Sequence, residues 1–163
     1  MKKILYMLIA ALPFLGMSAC SDDDKDLPDV DINIEYTGAK KADGKLYAVA
    51  GQKFEITSVS CTALRQGKKA AITAVTYGMD GWVLGATNLS PFSIAIDTSE
   101  LAPGKHVMSM SMIIAEVDCE LATGYLAFDL VVVPTDADLP ETTPDDPSEE
   151  APGRITAKPD IQD

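Results

Sequence analysis

Apolar and polar side chains alternate with period two in a series of short runs through the middle of the chain. Residues 31–36 place Ile32, Ile34 and Tyr36 on one face. Residues 45–50 form a second short run closed by Gly51, and residues 53–57 alternate again and continue through Val59 to Cys61. Residues 71–79 put Val75, Tyr77 and Met79 on one side; residues 92–96 do the same with Phe92, Ile94 and Ile96. Residues 106–117 carry Met108, Met110, Met112 and Ile114 on a single face, and residues 125–133 carry Leu126, Phe128, Leu130 and Val132. Such alternation belongs to half-buried strands, and no segment shows a sustained helical period. Turn chemistry separates the runs: Ala42-Asp43-Gly44, Gln66-Gly67-Lys68, Asp80-Gly81, Ala102-Pro103-Gly104 and Thr123-Gly124. Seven or so short strands between turns predict an all-β antiparallel sandwich over residues 31–133. The methionine stripe has the thioethers that suit copper(I), but at strand spacing it reads as core packing.

Outside that zone the composition changes. Residues 134–163 hold six of the ten prolines and nine acids, with no aromatic residue. That composition predicts a disordered tail, because it offers little apolar surface to offset ordering entropy. At the other end, Lys2 and Lys3 precede an apolar stretch from Ile4 to Leu15, broken by Pro13, and then Gly16-Met17-Ser18-Ala19-Cys20. A charged start, a short apolar run and small residues before a cut describe a secretory signal peptide over residues 1–19. The stretch is short for a bilayer span. Residues 20–30 then read as an acidic tether.

The segment Met17-Ser18-Ala19-Cys20 resembles the bacterial lipoprotein lipobox, with Met17 where Leu is commoner. The resemblance implies that Cys20 becomes the mature N-terminus and carries diacylglycerol and an N-acyl chain such as palmitate, enough for stable anchoring. The acids after it, in Ser21-Asp22-Asp23-Asp24, resemble the signal that sends lipoproteins to the outer face of the outer membrane in one phylum of Gram-negative gut anaerobes. A solvated tether is the alternative reading of such a charge run.

The 163 residues carry 13 Lys+Arg against 25 Asp+Glu, a net charge of -12. Loss of residues 1–19 removes two lysines and no acid, so the mature chain is more acidic still. No nucleic-acid partner is expected, since a phosphate backbone needs a basic patch. One His and three Cys leave no zinc-finger framework, and neither a metal nor a cofactor is expected.

The stretch from Ile72 to Val133 resembles the bacterial immunoglobulin-like domains of surface proteins and glycan-degrading enzymes. The residues that carry the likeness are Val75, Tyr77, Met79, Asp80-Gly81, Leu84-Gly85, Pro91-Phe92, Asp97-Thr98 and Gly104-Lys105-His106. Ile94 and Ile96 depart from the family's preference for aromatics. The likeness implies a single immunoglobulin-like sandwich in which His106 is structural. It also implies that the strands ending near Cys61 and Cys119 share a pole. With Cys20 consumed by lipid, and export into an oxidising compartment, a Cys61–Cys119 disulfide becomes possible. Two buried free thiols are the alternative.

No nucleophile elbow, P-loop or H-E-x-x-H occurs, and no catalytic residue is assigned. Trp82, just after the Asp80-Gly81 turn, is the candidate ligand contact: an exposed Trp on a strand can stack on a sugar or anchor an interface. Partial burial against a loop is the alternative. The sequence therefore points to a non-enzymatic, lipid-anchored surface module that binds or scaffolds, accessory to glycan capture or adhesion. A structural subunit of an outer-membrane assembly is the second reading, and a small hydrolase the third.

Overall fold

A computed structural model describes residues 26–141 and 153–162. Among them the chain forms eleven strands: β1 (Val30–Thr37), β2 (Lys40–Ala42), β3 (Lys45–Val49), β4 (Lys53–Ala63), β5 (Ala70–Met79), β6 (Trp82–Thr87), β7 (Ile94–Asp97), β8 (Gly104–Glu116), β9 (Ala122–Val133), β10 (Arg154–Ala157) and β11 (Asp160–Gln162). They make two sheets. The smaller runs β10-β1-β4-β7; the larger runs β2-β3-β9-β8-β5-β6, with β11 also paired to β9. All pairings are antiparallel except β3 with β9. Strands β1, β4 and β7 stand where A, B and E stand in an immunoglobulin sandwich, and β5, β8 and β9 where C, F and G stand. The fold is an immunoglobulin-like all-β sandwich.

The alternating runs become the core. Ile32, Ile34, Phe54, Ile56, Val75, Tyr77, Ile114 and Leu130 are buried together with Met108, Met110 and Met112. The methionine stripe is packing, as its strand spacing predicts. The Asp80-Gly81 turn takes positive φ at both residues, 51° and 84°, which is the two-residue hairpin that matches strand twist. Gly38 is fixed for another reason: at φ 78° a Cβ there would sit 2.0 Å from the Lys53 carbonyl oxygen.

Two expected boundaries move. The tether expected over residues 20–30 is already docked by residue 26. Arg65 Nη2 donates to the Leu27 carbonyl at 2.9 Å, and the Leu64 amide donates to the Asp29 carbonyl at 2.8 Å. Pro28 is buried and Val30 opens β1. The larger correction concerns the tail expected to be disordered over residues 134–163. Of its two described parts, 134–141 holds a single 3-10 turn at Asp136–Asp138 and 153–162 is built into both sheets. Strand β10 adds to the free edge of β1, from Ile32↔Ala157 to Glu35↔Arg154. Strand β11 adds to β9, from Asp160↔Tyr125 to Gln162↔Thr123. The reason is a local alternation that the segment's overall composition hides. Ile155, Ala157, Pro159 and Ile161 turn inward, and Ile155 and Ile161 pack on the core. Pro159 falls between the two strands, where no ladder donor is needed. The segment is a latch that crosses from one sheet to the other. Residues 142–152 lie outside the described residues.

Candidate ligand-binding trough

Residues directly opposite each other in a sheet share a face, so the register of the larger sheet lays out its outer surface. One row runs Asp160–Tyr125–Ser111–Thr76–Ala86 across β11, β9, β8, β5 and β6. The next runs Ala127–Ser109–Gly78–Val83. Ala127, Ser109 and Gly78 give the second row small side chains up to Val83, so the surface dips there. The dip is a trough of about 500 Å³, with Ser109, Ser111 and Gly78 in its lining, Tyr125 and Asp160 toward one end, and Trp82 and Val83 at the β6 edge.

Gly78 is required at the bottom. A Cβ there would stand 2.6 Å from Ser109 Oγ and 3.1 Å from the Trp82 carbonyl oxygen. Beside it the ladder slips: Tyr77 pairs Gly85 while Gly78 pairs Val83, which leaves Leu84 as an extra residue in β6. Such a bulge re-aims side chains at a sheet edge. Trp82 is 78% exposed and Val83 73% exposed. The candidate ligand contact picked from sequence thus sits on the rim of a concavity rather than against a loop.

The hairpin that carries Trp82 is braced from β8. Asp80 Oδ1 accepts the Val107 amide at 2.8 Å, and Oδ2 meets His106 Nδ1 at 2.7 Å. His106 Nε2 meets the Ala102 carbonyl at 2.8 Å. Both partners of the ring are acceptors, so the pair of contacts favours the cationic imidazole, which carries a proton on each nitrogen. The Ala102 carbonyl first, and the Asp80 carboxylate second, hold the His106 pKa above its ordinary value. The Val107 amide and then His106 hold Asp80 below the usual carboxylate range. His106 thus braces the hairpin through Asp80, which lies 26 residues away in sequence.

At the pole where residue 26 docks, Cys61 and Cys119 are both free thiols, so the possible disulfide is not formed. Cys61 turns inward from β4 and packs on the core. The Cys119 thiol is engaged elsewhere: Arg65 Nη1 donates to Sγ at 3.0 Å, and Sγ faces Glu116 Oε2 at 3.5 Å. Burial first, and the Glu116 carboxylate second, push the Cys61 thiol up. Burial also leads at Cys119, with Glu116 adding to it. Glu116 is only 5% exposed, and its Oε2 accepts the Asp29 amide at 2.8 Å. Cys20 and the acidic run Ser21, Asp22, Asp23 and Asp24 lie outside the described residues. Among the described residues no helix is long and apolar enough to cross a membrane.

No family model matches the chain. No curated protein matches it either. Among solved structures it is similar to the Clostridium thermocellum CbhA fibronectin(III)-like modules, at 14% identity and a TM-score of 0.41. The match covers 68% of this chain and 53% of that one, so this chain spans about half of its length.

Proposed function

We propose that this protein is a non-enzymatic binding module, anchored by lipid at Cys20 on the outer face of the outer membrane, that captures glycans in the trough of its larger sheet. The trough carries the reading. It joins the aromatic side chains of Trp82 and Tyr125 to the hydroxyls of Ser109, Ser111 and Thr76. Aromatic faces cover the apolar flank of a sugar ring, and hydroxyls exchange hydrogen bonds with its rim. Among the described residues, the Ser109 and Ser111 hydroxyls make no hydrogen bond to another protein group, which leaves them available to a ligand. The lining holds one carboxylate, Asp160, where glycoside hydrolysis uses a pair flanking the bond.

The test is a glycan array probed with the soluble form that starts at Ser21. Wild type should bind a subset of glycans, and Trp82→Ala should lose at least about tenfold in affinity, as an interface anchor does. No binding to any glycan overturns the reading. For the anchor, Cys20→Ala should abolish palmitate labelling. Replacing Asp22, Asp23 and Asp24 by Ala should keep the label but lose accessibility to protease on intact cells.

A second reading, a structural subunit of an outer-membrane assembly, draws on β6. Among the described residues that strand pairs only with β5, and residues 81–96 contain no charged side chain, so the edge lacks the charges that usually discourage pairing with another strand. Concentration-dependent self-association of the soluble form, abolished by Val83→Lys, would favour it.

A further inference from the structure

We infer that the trough selects uncharged glycans and rejects uronate-bearing ones, and that Asp160, delivered by the C-terminal latch, is the residue that sets this selectivity. The inference rests on the glycan-binding reading above.

The position of Asp160 follows from the latch. Pro159 is buried against Gly124, where a Cβ on the glycine would stand 3.2 Å from the Pro159 Cβ. Ile161 packs on the core two residues later. Between these two inward residues, Asp160 turns outward, directly opposite Tyr125. It therefore stands at the head of the row Tyr125–Ser111–Thr76, on the face that forms the trough. A flexible tail could not hold a carboxylate at that place.

The electrostatics are one-sided. Asp160 is the one charged side chain in the described lining. Among the described residues no Lys or Arg lines the trough to pair with a ligand carboxylate, and the chain as a whole carries -12. A uronate seated beside Tyr125 would bring a second carboxylate toward the first without a counter-charge. Like charges a few ångströms apart at a wet surface cost about a factor of five to ten in affinity. A neutral sugar meets no such cost. Its hydroxyls donate to Asp160, and hydrogen bonds to a charged acceptor are the stronger kind.

The experiment uses the chain from Ser21 on an array that pairs neutral oligosaccharides with the same oligosaccharides oxidised at their primary alcohols to uronates. Wild type should bind neutral members about five- to tenfold more tightly than their oxidised partners, with the gap shrinking as salt rises. Asp160→Asn should narrow that gap while its thermal midpoint stays that of wild type. Asp160→Lys should reverse the preference. Equal binding of neutral and oxidised partners by wild type would overturn the inference and leave glycan binding standing. So would an unchanged gap in Asp160→Asn. Absence of binding by wild type and all variants to every member would overturn the glycan reading itself, and this inference with it.

Discussion

The two outer faces of the sandwich use the same polar residue types to opposite ends. On the smaller sheet they bond to one another. Arg154 Nη2 donates to Glu35 Oε1 at 2.8 Å, and Ser58 Oγ donates to Glu35 Oε2 at 3.0 Å. Thr156 Oγ1 donates to Asn33 Oδ1 at 3.0 Å, and Asn33 Nδ2 donates to Thr62 Oγ1 at 3.2 Å. These bonds tie β10, β1 and β4 together across that face. On the larger sheet, small residues at Gly78, Ser109 and Ala127 open a dip beside Trp82 and Tyr125, and the serine hydroxyls stay uncommitted. A surface whose hydrogen bonds are internal gives a ligand little to gain; one whose donors are uncommitted, beside aromatic area, gives it a good deal.

Removing the latch should have the largest effect, because it contributes to both faces. Deleting residues 153–163 takes Arg154 and Thr156 from one face and Asp160 from the other. It also uncovers the side chains that Ile155, Pro159 and Ile161 pack on. The loss should be about 3–5 kcal/mol, read as a fall of roughly 10–20 °C in the thermal midpoint. A midpoint unchanged within a degree or two would show that the segment does not dock. Gly124→Ala should reproduce part of this. A Cβ there would stand 2.6 Å from Ile114 Cδ1 and 3.2 Å from the Pro159 Cβ. Lifting the latch should cost about 1–3 kcal/mol as overpacking does, and denaturant melts should resolve it.

Paired substitutions on the two faces sharpen the comparison. Trp82→Ala should change stability within about 0.5 kcal/mol, since the side chain is exposed, yet reduce glycan capture strongly. Asn33→Ala should cost a similar small amount of stability and leave capture alone. If both substitutions affect capture equally, the faces are not functionally distinct.

The smallest effect is on pH. The folded pKa of His106 lies above its ordinary 6.5. Its contribution to stability is therefore complete below 6.5 and is lost as pH rises through the folded value. Asp80 lies below its ordinary 3.8, so its contribution is present above 3.8 and is lost as pH falls through the lower folded value. The thermal midpoint should decline slightly as pH rises above 6.5, and His106→Gln should flatten that decline. A slope that survives the substitution would place its source elsewhere.

Much of the sandwich was legible in the sequence because period-two alternation and Asp-Gly turns act locally. Residues 31–36, 53–61 and 125–133 became β1, β4 and β9 nearly as patterned. The trough was less legible. Trp82 could be picked out alone, but Gly78, Ser109 and Ala127 become neighbours only through the register of three strands. The latch was missed because nine acids and six prolines dominate the average over residues 134–163. Within that average the nine residues 154–162 alternate strictly, and Pro159 marks the crossover between β10 and β11.

The latch also sets when folding can finish. A chain is made from its N-terminus, so β1 exists long before β10, its partner 119 residues away at Glu35 and Arg154. Until residue 162 is available, one edge of β1 and part of β9 have no strand beside them. Pairings this distant in sequence form late and slowly. A nascent chain short of that length therefore cannot complete either sheet.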